Sequence, residues 1–502
     1  MKKIVIACIF SMIAVYCHSQ NFLDLRRYSS TTHFGTARSM GMGGAIGAIG
    51  ADYSVSSVNP ASLAQIRTSQ AMFTLGMNFS STRADFLNND VTDNRFSFSL
   101  PNLGAVVSTI RYERGKEVKK GLVNYSFAFG FNRINDFNRN ITMEGFNNQS
   151  SYLDNLAELA NDFIDPSVMS SGLTPQYPEE LALAAGALIY KDNAFRPNLP
   201  DVANIRQGVR IQQSGRQADW NISWAGNFSH VMYVGFGIGI PGLRFNQTET
   251  IYETTFDDSI TPSRSFEQVN ETSTSGTGLN AKMGVTFRLA DWIRIGAAYH
   301  TPTNWSLQDA FSYSFSSRNF PNNQFIYTDG EVLMAGPFDS RYKFTTPGKT
   351  VLSAAFIIKK MAMIGIDYEN VNYTSARTSE TDLEFINQAV RANFRQASNL
   401  RVGAEYSYLD YRLRAGYAIY APPFKKDILN ALTEGNLATR IYSIGGGYTD
   451  PGSGVFFDAA VVFEQVEDFY TPYTLEPGGR AYYSSYNRTN NTRLMFTLGT
   501  KF

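Results

Sequence analysis

Residues 34–64, FGTARSMGMGGAIGAIGADYSVSSVNPASLA, decide the fold because they are rich in glycine, alanine and serine and poor in bulky side chains. Glycine allows positive φ and close backbone approach, and Gly41, Gly43 and Gly44 lie within four residues of one another. Near the end of the stretch, Asn59 precedes Pro60, which favours an extended or turning residue over a helix. Such a segment buries too little apolar surface to fold alone. We therefore predict a compact, irregular plug held inside a larger structure.

The chain beyond this stretch alternates between apolar and polar side chains, as residues 410–421 illustrate. One face of this segment carries Tyr411, Leu413, Ala415, Tyr417 and Ile419. The opposite face carries Arg412, Arg414, Gly416 and Ala418. A period of two, with one apolar and one charged face, is typical of a strand that has lipid outside and a barrel lumen inside.

Segments of this kind continue to the end of the chain, and their connections sort into two classes. The segments lie near 69–82, 95–113, 119–133, 217–230, 231–256, 270–289, 292–317, 330–358, 361–374, 399–409, 411–422, 438–449, 454–466 and 491–502. Every second connection is short, and the alternate set contains the long stretches 134–216, 375–398, 423–437 and 467–490. Short periplasmic turns and long extracellular loops are characteristic of outer-membrane barrels. The pattern predicts an all-β protein, a transmembrane antiparallel β-barrel of about 14 strands.

The Gly/Ala-rich stretch that ends in Asn-Pro-Ala just before the first strand resembles the hatch of the outer-membrane long-chain fatty-acid transporter family, the FadL/TodX type. The resemblance implies a hatch in the lumen, and a hydrophobic ligand that passes from an outer groove to a pocket beside that hatch. It also implies exit through a lateral gap at a kink in the third strand, for which Gly130 is the expected position because glycine relieves strand packing. The hatch residues expected to gate or contact the ligand are Asn59, Pro60, Ala61, Gly41, Gly43 and Gly44.

The first 20 residues have the features of a secretory signal peptide, with two lysines, an apolar run from Ile4 to Tyr16 and a short polar end. We predict a signal peptide at 1–20, a hatch at 21–68 and a barrel at 69–502, with a long extracellular loop at about 134–216. Both cysteines, Cys8 and Cys17, fall in the leader, which leaves the mature chain without disulfides or thiol ligands. Removing the two leader lysines from 44 basic residues leaves 42 against 44 acidic ones, so no basic field attracts nucleic acid.

Four stretches in the predicted extracellular loops have helical features, namely 151–164, 178–190, 384–394 and 426–432. In the first, Leu153, Leu156, Ala157 and Ala160 lie at helical spacing. The second begins with Pro178 and two glutamates, a favourable helix N-terminus. These helices either line an apolar entry groove or pack on one another as a lid.

No constellation for catalysis accompanies this pattern, and we predict no enzyme activity, no cofactor and no metal. The histidines beyond the leader are His33, His230 and His300, and neither a GxSxG nor an HExxH motif is present. Two weaker alternatives concern the hatch. A phosphate loop at Gly41 lacks a surrounding βαβ unit. Haem uptake would use His33 as an exposed ligand.

Charged side chains also fall on the inward faces of the predicted strands. These are Asp367, Glu369, Arg401, Glu405, Arg412, Arg414, Asp458 and Glu464. Balanced charges of this kind tie strands to one another and to a plug. The alternative is that a basic subset holds a substrate carboxylate.

The sequence therefore predicts an outer-membrane protein of a Gram-negative cell for passive uptake of hydrophobic compounds such as long-chain fatty acids. The alternative is a binding or adaptor protein of a secretion system, which a sealed barrel without a lateral gap would favour. The expected partners are a hydrophobic small molecule, outer-membrane lipids with lipopolysaccharide, and the barrel assembly machinery, whose signal the final strand ending in Phe502 resembles. We expect a monomer and no nucleic-acid partner.

Overall fold

The computed structural model describes residues 22–30, 32–50, 52–167, 173–199, 204–256, 263–320, 329–359, 361–380, 383–425, 437–475 and 483–502. The wall strands are β1 (Gln70–Phe86), β2 (Asn89–Ile110), β3 (Leu122–Asp136 and Arg139–Asn147), β4 (Ile205–Phe228), β5 (Met232–Thr255), β6 (Ser265–Ala290), β7 (Ile293–His300 and Asn304–Arg318), β8 (Val332–Thr345 and Lys349–Ile358), β9 (Ala362–Asn372), β10 (Gln396–Tyr408), β11 (Tyr411–Tyr420), β12 (Thr439–Thr449), β13 (Val455–Tyr470) and β14 (Ser485–Lys501). Each strand pairs antiparallel with its neighbours in the chain, and β14 pairs with β1, so the barrel is closed.

The described helices lie in the N-terminal segment and in the loops. They are α1 (Phe22–Ser29), α2 (Ala37–Gly41), α3 (Tyr152–Phe163), α4 (Pro178–Ala184) and α5 (Glu384–Asn393), with 3-10 turns at Tyr53–Ser57, Pro60–Gln65 and Tyr373–Ser375. Short strand pieces occur at Tyr112–Glu113, Lys116–Glu117, Leu188–Lys191, Ala194–Pro197 and Arg377–Thr378.

The predicted barrel of about 14 strands is confirmed, and so is the sorting of its connections. Six connections at one rim are short, whereas the opposite rim carries the long ones. We call these the turn rim and the loop rim. The strands could be recognised from the alternation of side chains, because one face must be apolar against lipid while the other meets the lumen.

Several predicted bounds differ from the structure. The long loop predicted at about 134–216 spans only 148–204, because Arg139–Asn147 and the start of Ile205–Phe228 continue the wall. These strand ends carry polar residues on both faces, so alternation did not identify them. Helix α4 ends at Ala184 rather than near 190, where a short strand follows. The predicted helix at 426–432 and the signal peptide at 1–20 lie outside the described residues.

Large apolar side chains cover the outside of the barrel. Exposed examples on eight strands are Phe98, Phe129, Ile222, Ile238, Leu352, Leu413, Ile444 and Phe457. A continuous apolar band of this kind is what a lipid-facing barrel presents. None of the helices within the described ranges has the length and apolar character that a membrane crossing requires.

Replacing Ile444 with arginine tests this lipid-facing surface. Ile444 lies in the middle of β12 and is 59% exposed on the outside. A basic side chain near the bilayer midplane costs about 2–4 kcal/mol. We therefore expect Ile444→Arg to lower the free energy of unfolding in lipid vesicles by that amount, and Ile444→Leu to change it little. Equal effects of the two substitutions would place this face away from lipid.

Candidate functional site

The N-terminal segment 22–66, called the hatch here, packs inside the barrel. Met42, Ile46, Tyr53 and Leu63 are fully buried. They share one apolar cluster with inward-facing wall residues, among them Val106 of β2. The hatch is therefore held by the wall that surrounds it, as expected for a segment with too little apolar surface to fold alone.

Lumen-facing glycines form the seat of the hatch, a feature that sequence analysis missed. A Cβ built on any of eight wall glycines would come within 2.0–2.9 Å of a hatch atom. They are Gly104, Gly130, Gly235, Gly284, Gly296, Gly365, Gly403 and Gly416. Glycine in a strand interior marks such a close approach of another backbone. Glycines at lumen-facing strand positions were the signal available in the sequence.

The hatch glycines complete this contact. Gly43 and Gly44 have φ of +62° and +77°, a conformation that side chains rarely adopt. A Cβ on Gly43 would lie 2.9 Å from the backbone nitrogen of Tyr417, and one on Gly44 would lie 2.7 Å from the His33 ring. Gly41 faces Arg414 and Gly445 at ordinary contact distances. The glycine run thus allows a tight turn against β11.

Asn59, Pro60 and Ala61 lie against β5 and β6, and the same turn reaches the third strand further on, where Asn124 donates to the Ala64 carbonyl at 2.9 Å. The Asn59 side chain donates to Thr286 Oγ1 at 3.0 Å and accepts from the Ala61 amide at 3.2 Å. Pro60 and Ala61 fill the space above Gly235. A buried amide that satisfies a turn and a wall hydroxyl in this way fixes the hatch to the wall.

An ion-pair network joins hatch helix α2 to three strands. Arg38 donates to both oxygens of Glu405, at 2.9 Å each. Arg414 donates to Glu405 at 2.6 Å and to Asp458 at 2.6 Å. Glu405 and Arg414 are almost fully buried, so each charge depends on its partners. We call these four residues the latch.

A second group of charges ties β9 and β10 to the hatch. Asp367 accepts from the Gly47 amide at 3.1 Å and lies 3.8 Å from Arg401. Arg401 also donates to Glu369 at 3.2 Å. These contacts fit the structural role for the lumen charges.

Arg412 does not join either group, in contrast to its predicted place beside Arg414. Its guanidinium donates to the carbonyls of Leu409 and Tyr411, each at 2.9 Å, at the turn rim. The side chain is half-buried. The strand begins at Tyr411, so Arg412 lies too near the turn to reach the latch.

His33 is buried in the hatch rather than exposed. Its Nε2 lies 2.6 Å from Ser39 Oγ, and its backbone amide donates to the Tyr420 hydroxyl at 3.2 Å. Burial, with nearby Arg401 and Lys349, lowers the pKa of His33 to about 3, so the ring is neutral near pH 7. An exposed haem ligand at this position is therefore excluded.

The third strand bends at and beyond Gly130. Gly130 has φ of +156°, and a Cβ there would lie 2.2 Å from the Leu103 carbonyl oxygen. The hatch residue beside it is Tyr53, whose ring also fills the space above Gly104. The pairing register between β3 and β4 shifts further along, between Arg133 and Asn135. At this point β3 turns away from β2.

This bend leaves a seam between the loop-rim halves of β2 and β3. The ladder between them covers only Asn102–Ile110 and 124–132. Residues 139–147 of β3 pair with β4 and share a buried cluster with Phe86 of β1, so this half of β3 leans inward. Within the described stretch 89–147, no ladder pair links residues 89–101 to β3.

Side chains close the seam where backbone pairs do not. Arg95 donates to Asn140 Oδ1 at 2.9 Å and to the Gln213 carbonyl at 2.7 Å. Thr142 donates to Asp93 beside it. Side-chain bonds of this kind can open without breaking a strand ladder. The seam therefore lacks the backbone ladder that joins β2 and β3 nearer the turn rim.

A chamber of about 650 Å³ lies above the hatch. Its lining includes Phe34 of the hatch, the bend residues Asn135–Arg139 of β3, and apolar side chains such as Ile211 and Phe245. More than half of the described lining residues carry polar or charged side chains. The chamber therefore touches the hatch, the seam and a largely polar wall.

Helices α3 and α4 pack on each other at the loop rim, as in the lid alternative, whereas α5 belongs to a separate cluster. Leu153 and Leu156 of α3 and Leu181 of α4 are fully buried in one cluster with Phe315 of β7. Glu179 of α4 is buried there as well. Its burial, with Glu180 beside it, raises the pKa of the Glu179 carboxyl to about 7.

Comparison with known proteins extends the resemblance from the hatch to the barrel. No protein-family model and no curated protein matches the chain. Among solved structures it is similar to the P. putida toluene transporter TodX, with a TM-score of 0.50 and 11% identity over 94% of this chain and 99% of that one. It is also similar to a Pseudomonas aeruginosa FadL homologue, with a TM-score of 0.52 and 12% identity over the same shares. The chain has the FadL-type fold.

The FadL-type fold accounts for the arrangement of hatch, chamber and β3 bend, which the hatch sequence had predicted in outline. Sequence analysis did not identify Arg38, Tyr53, Arg95 or Arg493, although each contacts the hatch, the seam or the chamber. No motif marks them, because their partners lie far away in the chain.

Proposed function

We propose that this FadL-type barrel is an outer-membrane channel for passive uptake of hydrophobic small molecules such as long-chain fatty acids. The fold supports the transport role, and the similar structure TodX is a toluene transporter. We further propose that the ligand leaves sideways between β2 and β3, beside the hatch.

One observation carries this proposal. The β3 bend, Asn135–Arg139, lines the chamber and also forms one edge of the seam. A ligand in the chamber would therefore lie beside the part of the wall that lacks backbone pairing. Outside the seam, Phe96 and Phe98 of β2 face outward and are more than half exposed. An apolar ligand that crossed there would pass directly from the chamber to lipid.

The hatch favours this lateral route over an axial one. Its backbone or side chains meet wall glycines on eight strands, so axial passage would require many close contacts to separate together. Opening the seam requires the side-chain bonds of Arg95 and Thr142 to break, together with the bond from Asn89 to the Glu144 carbonyl at 2.7 Å and the packing of Ile141 and Met143 against Phe86. We propose the hatch as the gate, with Asn59, Pro60, Ala61, Gly41, Gly43 and Gly44 as the residues that hold it and Gly130 as the bend point. A ligand shifts such a gate only if it binds the two states differently.

Cross-linking the seam tests the lateral route. Thr142 hydrogen-bonds Asp93 across the seam, so thiols at these two positions are within reach of a short bifunctional reagent that couples to each thiol through a reducible disulfide. The sequence has no other cysteine beyond Cys17. We expect the linked Asp93→Cys/Thr142→Cys protein to lose uptake of a long-chain fatty acid and to regain it when the link is reduced.

The matched control is a pair on two strands that are ladder-paired. Ser312 donates to Glu271 at 3.2 Å directly across the β6–β7 ladder. A link between cysteines at these positions is expected to leave uptake unchanged. Uptake at the unlinked rate in the seam-linked protein would overturn the lateral route.

The alternative is an adaptor of a secretion system, and the side-chain closure of the seam is the observation in its favour. The adaptor role would be favoured if neither of the two cross-linked proteins showed a change in uptake. For the transporter we propose an outer-membrane location, surrounding lipid and lipopolysaccharide, insertion by the barrel assembly machinery, and a monomeric state. The signal peptide at 1–20 and the hatch and barrel bounds, 21–68 and 69–502, remain part of this proposal.

A further inference from the structure

Two polar side chains face each other at the chamber wall directly beside the hatch. Asn78 of β1 and Arg493 of β14 are cross-strand partners in the ladder that closes the barrel. Both line the chamber, together with Phe34 of the hatch. Side chains directly opposite each other on one face of an antiparallel pair lie close together. The two residues therefore form one local site.

Some hydrogen-bond donors of Arg493 have no acceptor among the described residues. It is 7% exposed, and one of its nitrogens, Nη2, donates to Glu464. Its Nε and Nη1 have no hydrogen-bond partner among the described residues. The guanidinium lies 4.7 Å from the centre of the Phe34 ring, which fixes its plane against the hatch.

Asn78 also has an unpartnered atom among the described residues. It is 4% exposed, and its Oδ1 has no hydrogen-bond partner in the part of the chain that the structure describes. An amide offers an acceptor at one end and donors at the other, whichever way it is turned. Among the described residues, the site thus combines unpartnered donors and an unpartnered acceptor at the chamber wall.

The other chamber charges are occupied or stacked. Arg139 pairs with Asp468, and Arg27 pairs with Asp24. Glu249 accepts from Asn270 and Tyr470. Arg26 lies over the Phe424 ring at 5.0 Å. Buried polar groups are normally paired, so the spare groups of Arg493 and Asn78 are a place where a ligand would supply the missing bonds.

We infer that the chamber binds an anionic amphiphile whose head group carries an amide N–H next to its carboxylate, as in an N-acyl amino acid. The inference rests on the proposed function and names the substrate class of the same chamber. The carboxylate accepts from Arg493, and the amide N–H of the ligand donates to Asn78. The acyl chain lies along apolar lining such as Phe245 towards the β3 bend. A plain fatty acid satisfies Arg493 but has no donor for Asn78.

Binding to the purified barrel in lipid nanodiscs tests this site, with N-lauroylglycine, laurate and dodecanol as calorimetric probes. We expect N-lauroylglycine to bind about fivefold more tightly than laurate, the effect of one net hydrogen bond. Dodecanol is expected to bind about tenfold or more weakly than laurate, because it lacks the charge-assisted bond. Equal affinities for N-lauroylglycine and laurate would overturn the assigned head group.

Three variants separate the contributions of Asn78 and Arg493 to binding of the probes. Asn78→Leu leaves the Arg493–Glu464 pair intact, and we expect it to abolish the preference for N-lauroylglycine while laurate binds as before. Arg493→Gln is made together with Glu464→Gln, so that no carboxylate is left buried without its cation. This double variant should bind laurate as weakly as dodecanol, while N-lauroylglycine loses affinity by the same factor as laurate and keeps its preference through Asn78. The control is Arg488→Gln on the same strand, whose side chain is half exposed.

The outcomes distinguish this inference from the proposed function. If the Arg493 double variant keeps native affinity for both acids, the site is wrong, whereas uptake that depends on the seam would still support the transporter. If seam cross-linking leaves uptake unchanged but the probes bind in the predicted order, the lateral route fails and the binding site stands.

Discussion

Gly416→Val is expected to displace the hatch from the barrel wall while the barrel itself remains closed. A Cβ at position 416 would lie 2.1 Å from the Gly43 nitrogen and 2.3 Å from the Met42 carbonyl carbon. Both are backbone atoms, so no rotamer change relieves the overlap. Overpacking in a tightly packed interior typically costs about 1–3 kcal/mol, and more where the neighbours cannot move. The hatch turn is the less constrained partner, because Gly416 is paired with strands on both sides.

Limited proteolysis measures this displacement. We expect trypsin to cleave Gly416→Val protein within the hatch, for example after Arg38, under conditions in which the native hatch is protected. Gly446→Val on the neighbouring strand is the control, because its Cβ would have no atom nearer than 3.7 Å. A protected hatch in Gly416→Val would mean that the glycine seat is looser than the contacts indicate.

The wall could be predicted from the sequence because lipid and lumen impose a period of two on every strand. Strand β12 shows this, with Tyr442 and Ile444 outward and Ser443 inward against the hatch. The same rule fails at residues 139–147, which continue β3 along β4 but lean inward. There β3 leans over β1, and Ile141 and Met143 are buried inside the barrel.

The interior could be predicted only in part, because its contacts join residues that are remote in sequence. Arg38 and Glu405 are 367 positions apart, and nothing near either residue in the sequence marks the other. Asn59 caps its own turn by accepting from the Ala61 amide, but the strand it contacts depends on how the hatch is rotated in the lumen. That rotation follows from the whole set of glycine contacts. No single motif contains it.

The second large expected effect is a loss of stability when the latch is broken at Glu405. Glu405 accepts from Arg38 and Arg414, and its side chain is 1% exposed. Removing its carboxylate takes from Arg38 both bonds to Glu405, and it leaves Arg414 with Asp458 and the Gly446 carbonyl. Breaking a buried ion pair from one side typically costs about 3–5 kcal/mol, because the remaining charge stays buried and uncompensated.

We therefore expect Glu405→Ala to lower the free energy of unfolding by about 3–5 kcal/mol and to free helix α2 for proteolysis. Arg38→Met should cost less, because Glu405 keeps its bond to Arg414, which itself remains paired with Asp458. Glu384→Ala serves as the control, because both side chains of its pair with Arg391 are more than half exposed and such pairs contribute about 0–1 kcal/mol. Urea unfolding in vesicles gives all three values. If Glu405→Ala and Glu384→Ala cost the same, the four latch residues contribute no more than a surface pair, and the glycine seat alone holds the hatch.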